Sequence, residues 1–297
     1  MFSRCAIRSD GAYRGTCFAS VPSLIMPRLS RRHFISAVAI LAALKPLTQY
    51  AQTLFVESAA SQAKVAADLS PTPLIQSDHP RIRALANEIC KSVSGERNMA
   101  VQIHDWVRDN IKFGIAPAFY KMNATDVLDA RIGFCNTKTT LFSALLRAQG
   151  IATRTRVVDL SASVLRGLFD PGTPYVDHAI TEVNIEDRWY CVDSYVVDSQ
   201  LIKAARKRLV RDGLIVGYGI HIGGDSQWDG RSNNFIQCND DGALPAYVLR
   251  DHGRFKDIDD FYQHTPLARN RQSFLSGLMI RLGSSHINKQ IESVRSS

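Results

Sequence analysis

The strongest constraint on the fold is a change of hydrophobic period near residue 151. From Pro80 to Gly150 apolar residues recur every three or four positions: Ile82, Leu85, Ala86 and Ile89, then Val101, Ile103, Trp106 and Val107, then Leu141, Phe142, Leu145 and Leu146. That spacing paints one face of a helix. It predicts helices after Pro80, over 96–110, briefly over 124–130, and after Cys135, with Gly150 placed to end the last. From Ala152 the pattern alternates over 152–160, again from His178 and again from Arg188, as half-buried strands do. Helices gathered ahead of strands exclude a doubly wound sheet and predict an α+β fold, N-terminal helices packed on an antiparallel β-sheet.

Charge narrows the classes of partner. The 297 residues carry 36 Lys+Arg and 28 Asp+Glu, but 7 and 2 of these fall in the first 63, so the other 234 residues have a net of only +3. That is no footprint for nucleic acid. The early excess centres on Arg31 and Arg32, followed by an apolar run over 37–44 that is too short to span a bilayer. Paired arginines ahead of such a run resemble a twin-arginine export signal, so residues 1–63 are expected to be signal and linker and the mature chain periplasmic, without a stable membrane span. The plain competing reading is a basic amphipathic helix that stays attached. Residues 64–200 are expected to form the catalytic core, with 63–80 as its Ser/Pro-punctuated entry linker, and 201–297 a C-terminal extension of the same domain.

Cys135 stands behind Gly133 and Phe134 at the start of a helix. The first turn of a helix directs unpaired N–H groups outward, a field that favours a thiolate and so a nucleophile. A free cysteine is more often a small buried hydrophobe, so Cys135 needs a base and an orienting acid to carry chemistry. Cys90, Cys191 and Cys238 leave room for one bridge in an oxidising compartment, and there is no C-x-x-C pair to hold zinc.

Glu186 and Asp187 read as the two-residue turn of a hairpin joining the second and third strands. Ile185 then faces Arg188, Tyr195 lies opposite His178, and Asp193 is the diagonal neighbour of His178 on the same face, roughly 7–8 Å away. Asp198 differs from Asp193 by an odd number and falls on the other face. Parity therefore selects Asp193 to orient His178, while Ala179, Val183, Val192 and Val196 make the opposite face apolar. Nucleophile, base and orienter in this order form a set for covalent acyl transfer.

Gly133, Cys135, Leu146, Arg147, Ala148, Gly150, Ile151 and Arg154, then His178, Ala179, Glu182 and Val183, then Trp189 and Asp193 resemble the motif series of the transglutaminase-like superfamily over roughly residues 80–200. The resemblance implies a papain-like core with Cys135 as nucleophile, His178 as general base and acid, and Asp193 as its orienter, acting on a protein or peptide substrate without cofactor or metal. Family members commonly carry an aromatic residue two positions after the histidine, where this chain has Ile180. Transglutaminases proper wall an amine channel with tryptophans, whereas this chain has only Trp106, Trp189 and Trp228. The expectation is hydrolysis of a peptide or side-chain amide through a thioester. The alternatives are protein-glutamine cross-linking or deamidation, or an inactive envelope-binding domain. Asn110 and Asn123 are the candidates for a second oxyanion donor.

Other signals carry less. The Gly217–Gly224 segment does not follow a strand and open a helix, so it reads as a loop over the site. His104 reads as a polar residue of a helix, and the basic run from Lys203 to Arg211 as a solvated helix face. His252, Asp259, Asp260 and His264 lack metal-ligand spacing.

Overall fold

The protein is described by a computed structural model over residues 66–116, 118–237, 247–265 and 274–297. The expected export signal, Cys5, Cys17 and Cys238 lie outside the described residues. Among the described residues no helix is long and apolar enough to cross a membrane.

Helices α1 (Pro80–Cys90), α2 (Glu96–Asn110), α3 (Ala124–Ala130) and α4 (Cys135–Ala148) precede the main sheet. Pro80 opens α1, where a missing N–H costs nothing. Asn123 caps α3 by accepting from Asp126 N at 2.9 Å. The main sheet holds β3 (Thr153–Ser161), β4 (Tyr175–Ile185), β5 (Arg188–Val192) and β8 (Val248–Phe255) in the antiparallel order β5-β4-β3-β8. Two small pairs flank it: β1 (Lys112–Phe113) with β2 (Ile132–Gly133), and β6 (Val216–Gly217) with β7 (Ile220–His221). Helices α5 (Ser199–Asp212), α6 (Ile258–His264) and α7 (Phe274–Arg295) follow, the last two beyond residue 250. The α+β reading therefore stands, with the fourth strand supplied from well beyond residue 200.

Helix α4 is the centre of the packing. Every residue from Cys135 to Arg147 is buried, which an amphipathic stripe of four apolar residues does not foretell. Most of its polar side chains are tolerated because they find partners, Ser143 Oγ being the buried exception. Lys138 Nζ donates to Ile111 O at 2.6 Å, Thr139 Oγ1 meets Tyr195 Oη at 2.7 Å, and Thr140 Oγ1 donates to Asn136 O at 3.1 Å. Arg147 binds Ser70 O, Thr153 O and Lys256 O, tying the helix end to β3, to the entry segment and to the segment after β8. Burial pulls the Arg147 guanidinium down to about 10. At the other end Gly133 is required by contact: a Cβ there would lie 2.6 Å from Thr137 Oγ1.

Two expectations are corrected. The stretch before Pro80 is packed rather than free: Ile75 is buried, and Leu74 O accepts from Ala124 N at 2.9 Å. Proline and serine interrupt regular structure there but do not prevent burial of Ile75 or the packing of a half-buried Leu74. The third strand ends at Val192, not beyond Val196, because Asp193 N donates to Asn234 O and Val196 N closes a turn on Asp193 O. Tyr195 consequently crosses to the α4 side of the sheet, where its hydroxyl also meets Thr181 Oγ1 at 2.6 Å, instead of lying opposite His178.

Candidate active site

The β4–β5 register is the one read from the turn: Ile185 faces Arg188, Asn184 faces Trp189 and Glu182 faces Cys191. Glu186 and Asp187 both adopt positive φ, 51° and 64°, the backbone twist a two-residue hairpin loop requires. The hairpin brings Asp193 Oδ2 to 2.9 Å from His178 Nε2. Both side chains are fully buried, and Asp193 Oδ1 accepts from Ile236 N at 2.6 Å. Asp198 is elsewhere: it caps α5 through Leu201 N at 3.1 Å, accepts from Phe113 N and pairs with Arg295.

Cys135 is the first residue of α4 and is 9% exposed. Thr137 Oγ1 accepts from Phe134 N at 3.0 Å, which fixes the entry of the chain into the helix. The Cys135 thiol is 3.3 Å from Asn136 Oδ1 and 3.9 Å from the Asp177 carbonyl. His178 is subject to opposing influences. Burial lowers its pKa, but Asp193 and Cys135 together raise it to about 10. With Nε2 held by Asp193, Nδ1 is the ring nitrogen left to serve the sulfur. A thiol at a helix start, a buried imidazole and a carboxylate are thus in series, an arrangement able to form and discharge an acyl-thiol.

Several groups around this series are invisible to hydrophobic patterning. Helix α6 delivers Tyr262, whose hydroxyl donates to Asp177 Oδ2 and accepts from Asn136 Nδ2 at 3.1 Å. His104 is buried, its Nε2 2.8 Å from the Oγ of Ser194, the residue after Asp193, and burial lowers its pKa. Its phase with Ala100, Ile103 and Val107 on α2 was the available signal. The oxyanion candidates Asn110 and Asn123 are engaged elsewhere, Asn110 donating to Trp106 O and Asn123 capping α3. The glycine segment forms the β6–β7 pair and reaches the site at one remove: His221 N donates to Ile236 O at 2.8 Å, and Ile236 in turn holds Asp193.

The remaining motif residues brace the sheet. Glu182 accepts from Arg154 and from Arg254 Nε, and the Arg154 guanidinium lies 4.0 Å over the Trp189 ring. Trp228 donates to Ser232 O, and Trp106 stacks with Arg131 at 5.5 Å. Cys90 and Cys191 are free thiols. His252 pairs with Asp159 and His264 with Asp260.

Residues 83–194 match the transglutaminase-like superfamily core. No curated protein matches the chain. Among solved structures, a Cytophaga hutchinsonii protein provisionally assigned as a cysteine protease is 23% identical over 43% of this chain and 40% of its own, with a TM-score of 0.37. A Parabacteroides distasonis protein provisionally assigned as a protease is 14% identical over 42% of this chain and 25% of its own, with a TM-score of 0.31. The chain therefore spans well under half the length of either.

Proposed function

We propose, from the match of residues 83–194 to the transglutaminase-like superfamily core, that the protein is a cysteine hydrolase that cleaves a peptide or side-chain amide through a Cys135 thioester. The observation that carries this reading is the buried 2.9 Å contact between His178 Nε2 and Asp193, which leaves Nδ1 for the sulfur at the head of α4. The Cys135 thiolate adds to the carbonyl carbon, and the Cys135 N–H, unpaired at the first turn, faces the developing oxyanion. His178 then passes the proton to the departing amine as the C–N bond breaks, leaving the thioester. Water adds in the second half, giving its proton to His178, and the C–S bond breaks to release the acid and restore the thiol. Asp193 keeps the ring oriented and stabilises its positive charge throughout.

Hydrolysis is preferred to amine transfer because each of the three tryptophans already has a partner, Trp189 with Arg154, Trp228 with Ser232 and Trp106 with Arg131. The test is alkylation of Cys135 at neutral pH combined with mass spectrometry of products from a peptide library, with and without added primary amine. Fast labelling that slows in His178→Ala, with water rather than amine in the products, is the expected result. Labelling no faster than an ordinary exposed thiol would leave an idle binding domain, and amine incorporated into glutamine would make the protein a transferase.

A further inference from the structure

The hydrogen bonds beside the sulfur run in one direction, and the direction is set far from Cys135 in sequence. A carboxylate only accepts, so Asp177 takes the single Tyr262 hydroxyl proton. The Tyr262 oxygen is then free only to accept, which selects the NH2 side of the Asn136 carboxamide, 3.1 Å away. With Nδ2 committed to Tyr262, the amide oxygen must face Cys135 Sγ, at 3.3 Å. Asn136 and Tyr262 are both buried, at 1% and 4% exposure, so water does not compete for these groups. Tyr262 sits in a buried cluster with Val157, Ala179, Ile258 and Phe261, its ring 5.0 Å from that of Phe261, which restrains the hydroxyl.

An amide oxygen facing sulfur accepts from the thiol and repels the thiolate. The one proton that sulfur and imidazole share therefore sits either on Cys135, donated to Asn136 Oδ1, or on His178. We propose that Tyr262 is a positioning residue: it turns the Asn136 amide oxygen toward Cys135 and so biases the nucleophile toward its resting, protonated form. This rests on the reading of Cys135 and His178 as nucleophile and base. It assigns the C-terminal extension a function at the site, because α6 is the element that brings the hydroxyl in.

The experiment measures the rate of Cys135 alkylation by iodoacetamide at neutral pH in the full chain. Tyr262→Phe keeps the ring and removes the hydroxyl, and is expected to speed labelling roughly three- to tenfold, the worth of one hydrogen bond. Asn136→Ala removes the same restraint at its other end and is expected to do the same. Adding Tyr262→Phe to Asn136→Ala should then change nothing, since the two act through one contact. Loosening of α6 alone would instead accelerate both backgrounds, and additive effects overturn the proposal. So does unchanged or slower labelling in either single variant. His178→Ala read in parallel keeps the two ideas apart: it slows labelling if the base assignment holds, whatever Tyr262 does.

Discussion

In the proposed mechanism His178 sets the pH dependence. Its protonated form is favoured by Asp193 and the Cys135 sulfur against the opposing effect of burial, and its pKa is raised to about 10. A histidine raised in the folded state contributes stability that is complete below its ordinary value near 6.5 and is lost as pH climbs through about 10. In the proposed mechanism the same proton is the one delivered to the leaving amine. Turnover is therefore expected to fall on its alkaline side near pH 10, and a pH–rate profile of Asp193→Asn should show that limb displaced toward the ordinary histidine range. A limb that stays in place would mean that Asp193 does not govern the ring. Asp193 was recoverable from parity because two residues on a strand share a face when their numbers differ by two. Its second partner, Ile236 N, was not, because nothing in a local pattern announces a backbone N–H donated from 43 residues away.

At the scale of elements, the β4–β5 hairpin and α4 do the positioning. The turn fixes the register, and the register decides which acid faces His178, so an exposed residue at the loop controls a buried contact. Asp187 has φ of 64°, which proline cannot adopt and glycine adopts freely. Asp187→Pro is expected to destabilise by more than about 1 kcal/mol in a denaturant titration and to depress activity. Asp187→Gly should retain both, and equal behaviour of the two variants would show that the turn does not set the register. The hairpin was legible because turn chemistry and alternation are local. The enclosure of α4 was not: it is packed by α1, α2, α3, β3 and β4, and buried side chains such as Lys138 and Thr139 find their partners far away in sequence.

At the scale of the molecule, the segment beyond residue 200 completes the core. It supplies β8 to the sheet edge beside β3, Tyr262 to the site, and α7, whose Arg295 bonds Asp198 at 2.9 Å and Phe113 O at 2.8 Å. Burial works against the Asp198 carboxylate, but Arg295 and the Phe113 N–H hold its pKa below the usual value, so its contribution is present above about 3.9 and is lost as pH falls through the lowered value. Arg295→Ala leaves that carboxylate buried without its counter-charge and is expected to cost roughly 3–5 kcal/mol in global stability. Thermal unfolding indistinguishable from the parent would show that the C-terminal helix is dispensable to the fold.

The sequence by itself determined helices α1 to α4, the order in which β3, β4 and β5 follow them, the hairpin register and the pairing of His178 with Asp193. Each of these depends on periodicity, parity or turn chemistry within a few residues. Only the tertiary structure decided that β5 stops at Val192, that Tyr195 crosses to α4, that the entry segment is packed, and that Tyr262 and Ile236 reach the site. Those outcomes depend on contacts closed across long loops, and their partners are chosen by burial and hydrogen-bond satisfaction, which leave no periodic trace in the chain.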